Sequence, residues 1–230
     1  VPCPGYSLEA VDDEGTVLDP GERYRIVRSG EELRRAWTAL HRLRPFPLVQ
    51  ERVEGPGFGV GVLADAGRVL AAVAHRRLRE YPISGGPSAA AVTVRDPRLL
   101  GYAEAVIREL QWTGVAMVEF KRDTDYRLME VNPRFWGTLP LATAAGVNFP
   151  DLLCRLSLGR AVEAPEYREG LKLRFLGLEA AALLQSLRAG RWGLWPGFLS
   201  DLLDPSVRDG VLDWGDLEAS LAYFDARLSS

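Results

Sequence analysis

The residues best equipped for chemistry lie in one short stretch, VEFKRDTDYRLMEVNPRFWG, from Val118 to Gly137. It holds two carboxylates, Glu119 and Glu130, an amide at Asn132 and a guanidinium at Arg134. Asp123-Thr124-Asp125-Tyr126 reads as a turn between two strands. A turn centred between Thr124 and Asp125 sets Glu119 directly opposite Glu130. Like charges directly opposite on paired strands repel. Three arrangements relieve the repulsion. One carboxyl takes a proton, a cation such as Lys121 sits between them, or the two share a divalent metal. Two carboxylates and an amide oxygen form a hard, all-oxygen set that suits Mg²⁺ better than zinc. Mg²⁺ commonly takes one or two carboxylates plus substrate phosphates. A solvated strand face neutralised by Lys and Arg remains the plain alternative.

Alternation sorts the hairpin into two faces. Met117, Glu119 and Lys121 share one with Leu128, Glu130 and Asn132, and Arg134 follows at the same parity. Val118, Phe120, Met129 and Val131 form the other, wholly apolar, which must face the core. A capping-box pattern at Ser29 and Glu32 opens a helix over Gly30–Leu43. Tyr24–Arg28 and Pro47–Gly55 read as strands. Segments flanking Ala66-Gly67 read as a β-hairpin. Tyr81–Ser88 reads as a glycine-rich loop, and Asp96-Pro97 as a helix start. Two short helices broken near Gly146 follow, then helices over LEAAALLQSLRAG and DLEASLAYFDARL. Hairpins mixed with helices point to α+β.

The chain has 230 residues, 47% hydrophobic and 26% charged, with a net charge of −3. That balance gives no electrostatic reason to expect nucleic acid or an anionic membrane. Positive charge is almost all Arg, since Lys121 and Lys172 are the only lysines. Cys3 and Cys154 lack metal-ligand spacing and read as free thiols of a reducing, cytoplasmic setting. Neither a transmembrane run nor a secretory signal is visible. A homodimer is compatible with the sequence.

Four segments in order, LVQERVEGPGFGVGVL, AHRRLREYPISGGPS, GVAMVEFK and LMEVNPRFWGTLPLATAAGVNFP, resemble the ATP-grasp superfamily, in particular its carboxylate–amine ligase-like members. The resemblance implies an ATP-grasp α+β fold, largely its C-terminal lobe, an antiparallel sheet with flanking helices. Residues 1–46 would be a remnant of the N-terminal lobe, 47–160 the C-terminal lobe, and 161–230 a helical extension. It implies ATP with Mg²⁺, or Mn²⁺ in its place, held by Glu119, Glu130 and Asn132. Arg134 would stand near the transferred phosphoryl group or the substrate carboxylate. Gln50 or Glu51 would meet the adenine amino group or ribose, and the main chain at Arg52 and Val53 the adenine edge, with Lys121 also on the nucleotide side. His75 and Arg77, which share a strand face, and the loop residues Ser84, Gly85 and Gly86 would face substrate. The implied activity is C–N bond formation between a small-molecule carboxylate and an amine through an acyl phosphate. A non-catalytic nucleotide-binding module is the alternative. The chain lacks the family's VKP-like strand and the glycine-rich loop over the phosphates, so truncation upstream of Val1 is expected.

Overall fold

A computed structural model describes residues 25–43, 45–83, 85–163 and 165–212, with 218 and 222. Its contacts divide the chain into two units, residues 1–52 and 53–230. Most of the second C-terminal helix expected from the sequence, over 216–228, lies outside the described residues.

In the first unit the helix α1 spans Gly30–Leu43, as its periodicity predicts. Ser29 Oγ accepts from the Glu32 amide at 3.2 Å and Glu32 Oε2 accepts from the Arg28 amide at 2.7 Å, so two early donors are satisfied. Residues 25–28 form no strand, and neither do 47–55. Both have strand-like composition, but neither pairs with a neighbouring strand, and composition alone cannot supply ladder hydrogen bonds.

The second unit is built on one seven-stranded sheet in the order β5-β4-β1-β2-β3-β6-β7. Its strands are β1 Gly57–Asp65, β2 Arg68–Glu80, β3 Ser88–Thr93, β4 Gly114–Arg122, β5 Tyr126–Asn132, β6 Lys172–Arg174 and β7 Arg208–Asp209. All neighbours are antiparallel except β6 and β7. The β1–β2 turn uses positive φ at Ala66 (45°) and Gly67 (78°), the backbone that matches strand twist in a two-residue hairpin. The third strand was not evident in the sequence, because SAAAVT is short and rich in Ala. The last seventy residues are also not purely helical, since β6 and β7 extend the sheet past β3.

Helices cover both faces. On one, Phe58, Val60, Val62, Val118 and Phe120 pack with Leu99, Ala103 and Ile107 of α2, which spans Pro97–Glu109. Asp96 caps α2, its carboxylate accepting from the Arg98 and Leu99 amides at 2.9 and 3.3 Å. On the other, Leu63, Val73, Val115 and Met117 pack with Trp136, Ala142, Ala145 and Phe149. These last three lie on α3, Leu139–Ala145, and α4, Phe149–Ser157, which are separated at Gly146 with φ 113°. Beyond them come α5, Leu176–Arg188, and α6, Trp195–Leu203.

Candidate functional site

The β4–β5 register places Met117 against Asn132, Val118 against Val131 and Glu119 against Glu130. The expected confrontation of carboxylates is therefore present. A bulge after Glu119 then shifts the pairing, so that Phe120 faces Leu128. A one-residue shift exchanges faces. It turns Tyr126 into the core beside Phe58 and Phe120, with ring centroids 5.1 and 6.3 Å away, and leaves Leu128 half exposed. Simple alternation put Leu128 on the polar face with Glu130, whereas the bulge pairs it with Phe120.

The polar face extends across the sheet. Glu130, Glu119, Gly59, His75 and Thr93 occupy one cross-strand row. Lys121 and Gly57 pair in the next row, and Asn132, Met117, Gly61 and Val73 form the row on the other side. The first strand alternates glycine with core residues in GFGVGV. A Cβ on Gly57 would stand 2.9 Å from Arg77 Cδ, and one on Gly59 2.5 Å from His75 Cε1. On Gly61 it would stand 2.0 Å from the Trp136 ring. The three glycines form a floor over which large side chains from neighbouring segments lie flat. This floor escaped the sequence reading, although glycine at every second position of a strand was the signal for it.

Within this face Asn132 joins the carboxylates, its Nδ2 donating to Glu130 Oε1 at 2.8 Å and Glu119 Oε1 at 3.1 Å. The other Glu119 oxygen accepts from Arg77 Nη2. The cation beside Glu119 is thus Arg77 from β2, not Lys121, the cation considered from sequence. Lys121 is near in sequence, but the sheet brings Arg77 alongside, two strands away. Burial pushes the Glu119 carboxyl up; Arg77 pulls against that, and Glu130 adds to it.

His75 and Arg77 share a face as expected, and the exposed Arg76 points away. Their surroundings differ. His75 is only 3% exposed, and its Nε2 lies 3.3 Å from Thr138 Oγ1. Burial, aided by the charge on Arg77, lowers its pKa to about 3, so the imidazole is neutral near pH 7. It cannot meet an anion as a cation. Arg77 Nη1 donates to the Gly86 carbonyl at 3.1 Å, tying the glycine-rich loop to the site. On the loop's other side the Ile83 amide donates to Gln185 Oε1 of α5 at 2.8 Å. Gly85 has φ 129° and space around it. Ser84 lies outside the described residues. Arg134 is exposed, its Nη1 donates to the Phe135 carbonyl at 2.9 Å, and its charge is among those lowering the Glu119 pKa. Gln50, Glu51 and Arg52 belong to the first unit and are exposed, while the half-buried Val53 opens the second. The structure therefore brings Arg77, Glu119, Glu130, Asn132, Gly86 and the buried His75 onto one face.

Among the described residues no group of three or more His, Cys, Asp and Glu side chains converges as a metal cage. The donor set here is smaller: two carboxylates and one amide. One amide group spans both carboxylates, and two carboxylates with an amide are donors that a small hard cation can take together with water and ligand oxygens. That is the coordination habit of Mg²⁺.

The family described as ATP-grasp in the biosynthetic pathway with Ter operon matches residues 44–177. Among solved structures, the fold is similar to the biotin carboxylase domain dimer of Hydrogenobacter thermophilus 2-oxoglutarate carboxylase, in complex with MgADP, ADP and bicarbonate. Identity is 21% and the TM-score 0.51, over 64% of this chain and 36% of that one. Campylobacter jejuni biotin carboxylase with β-γ-ATP gives 16% and 0.42, over 54% and 30%. Bacillus anthracis D-alanine–D-alanine ligase with ATP gives 20% and 0.35, over 48% and 40%. Of these three, only the first has a TM-score that supports a statement about fold. This chain spans 30% to 40% of the length of the three structures. No curated protein matches the chain.

Proposed function

Because the chain belongs to the ATP-grasp family of the biosynthetic pathway with Ter operon, we propose that it carries the C-terminal part of the nucleotide site of an ATP-dependent carboxylate–amine ligase. One observation carries this reading. Glu119, Glu130 and Asn132 converge on a polar stretch of one sheet face with Arg77 alongside, where unligated carboxylates would repel. The MgADP in the Hydrogenobacter structure supports the choice of nucleotide and metal.

Glu119, Glu130 and Asn132, its amide turned to present the oxygen in place of the Nδ2 that spans the two carboxylates, would hold Mg²⁺, with Mn²⁺ able to replace it. The metal supplies charge neutralisation at phosphate oxygens when bound. Arg77 and Arg134 would add positive charge where negative charge gathers during phosphoryl transfer. Gly85 and Gly86 would let backbone approach the acid substrate. Gln50, Glu51 and the main chain of Arg52 and Val53 would meet the adenosine moiety, with Lys121 beside the nucleotide. The buried His75, set against Gly59 and Thr138, would act as packing within this face.

In the proposed reaction a carboxylate oxygen attacks the γ-phosphorus of ATP and ADP leaves. The amine nitrogen then attacks the acyl carbon, phosphate leaves, and the nitrogen gives up a proton. The substrates are a small-molecule acid and amine. Full-length protein should release ADP and phosphate only when Mg²⁺, an acid and an amine are all present. No substrate-dependent ADP across a broad acid and amine panel would contradict the proposal. Glu119 also finds partners within the chain, in Arg77 and Asn132, which favours a second reading as a non-catalytic nucleotide-binding module. Tight Mg·ATP binding without turnover would select that one.

A further inference from the structure

Arg77 has a more specific place than a general cation near the site. Its Nη2 donates to Glu119 Oε2, while Nη1 donates to the Gly86 carbonyl at 3.1 Å and to Glu80 Oε1 at 3.4 Å. The absence of a Cβ on Gly57 lets its stem lie against β1. Its Nε is buried and without a hydrogen-bond partner. Glu119 is equally committed, one oxygen to Arg77 and the other to the Asn132 amide.

We propose that Arg77 is the counter-ion that a metal must displace from Glu119, so that arrival of the metal releases the guanidinium to an incoming anionic group. This rests on the metal reading above. A hard cation needs an oxygen of Glu119. A guanidinium on that same carboxylate holds a positive charge within a few ångströms of the cation, with partial burial limiting the screening by water. The two cations therefore compete for Glu119. The bonds from Nη1 to Gly86 and Glu80 do not involve Glu119, so they can keep the displaced side chain at the site. Metal and anion then bind with positive coupling: the metal frees Arg77 for the anion, and by linkage the anion favours the metal.

The test is titration of full-length protein with Mn²⁺ alone, read by the spin resonance of free Mn²⁺. Arg77→Met should bind Mn²⁺ about tenfold more tightly than wild type, the size of effect expected for removing a contacting charge. Lys121→Met removes a charge from the same face without freeing Glu119, and should change the affinity less than about twofold. In wild type, ADP should tighten Mn²⁺ binding by more than it does in Arg77→Met. Equal or weaker Mn²⁺ binding by Arg77→Met, with the near-ultraviolet dichroism of the buried Trp136 unchanged, would overturn the proposal. So would equal gains in both variants, which would mark a general charge effect. Failure of wild type to bind Mn²⁺ even with ADP would instead remove the metal reading, and this inference with it.

Discussion

The indole of Trp136 lies where a Gly61 side chain would project, 2.0 Å from the position of its Cβ. Trp136 is buried and stacks edge-on against Phe149, centroids 5.1 Å apart, so the ring has no free direction of retreat. Gly61 thus sets how closely α3 and α4 approach the sheet beside the polar face. Gly61→Ala should cost about 1–3 kcal/mol, the range for overpacking a filled core. Chemical denaturation checks the cost, and near-ultraviolet dichroism should report a displaced Trp136. Wild-type stability in the variant would show that the floor yields easily.

His75 makes the fold sensitive to acid. Its folded pKa of about 3 lies below the ordinary value of 6.5, so the unfolded chain binds the proton more readily. Its contribution is complete above pH 6.5 and is lost as pH falls from there toward 3. Glu119, whose pKa is raised, works in the opposite sense, so the comparison must isolate His75. Melting temperature should fall more steeply below pH 6.5 in wild type than in His75→Gln. Parallel pH profiles would show that the ring is not held neutral.

Arg79 anchors the C-terminal helices. It is buried, pairs with the fully buried Glu179 of α5 and reaches Asp201 Oδ2 of α6 at 2.5 Å. Lys172 Nζ meets the other Asp201 oxygen at 2.6 Å. Burial raises the Glu179 pKa against the pull of Arg79. Arg79→Met leaves that carboxyl buried without its partner and should cost about 3–5 kcal/mol. Urea denaturation measures it. A loss below about 1 kcal/mol would match a solvent-screened pair instead.

What the sequence revealed follows what is local. The helices over Gly30–Leu43 and Pro97–Glu109, the Ala66-Gly67 turn and the opposition of Glu119 to Glu130 are each set by residues a few positions apart, and each is present. Residues 47–55 have strand composition without a strand, because pairing depends on a neighbour no local pattern encodes. The short β6 is a strand only because β3 lies beside it. At the site, alternation sorted the carboxylates correctly but missed the bulge that sends Tyr126 to the core. It also favoured Lys121, two residues from Glu119, over Arg77, forty-two residues away in sequence and brought to Glu119 by the sheet.

The central claim is that the Glu119–Glu130 pair exists to hold a metal on a nucleotide. Calorimetric titration of Glu130→Gln with Mg·ATP, alongside its unfolding curve, tests it most directly. Removing one of two like charges should leave the ligand-free protein as stable as wild type, or more stable by up to about 1 kcal/mol. Mg²⁺-dependent ATP affinity should fall at least tenfold, the effect of losing one charged ligand. A variant that is markedly less stable yet binds Mg·ATP as wild type does would contradict the account and make the carboxylates structural.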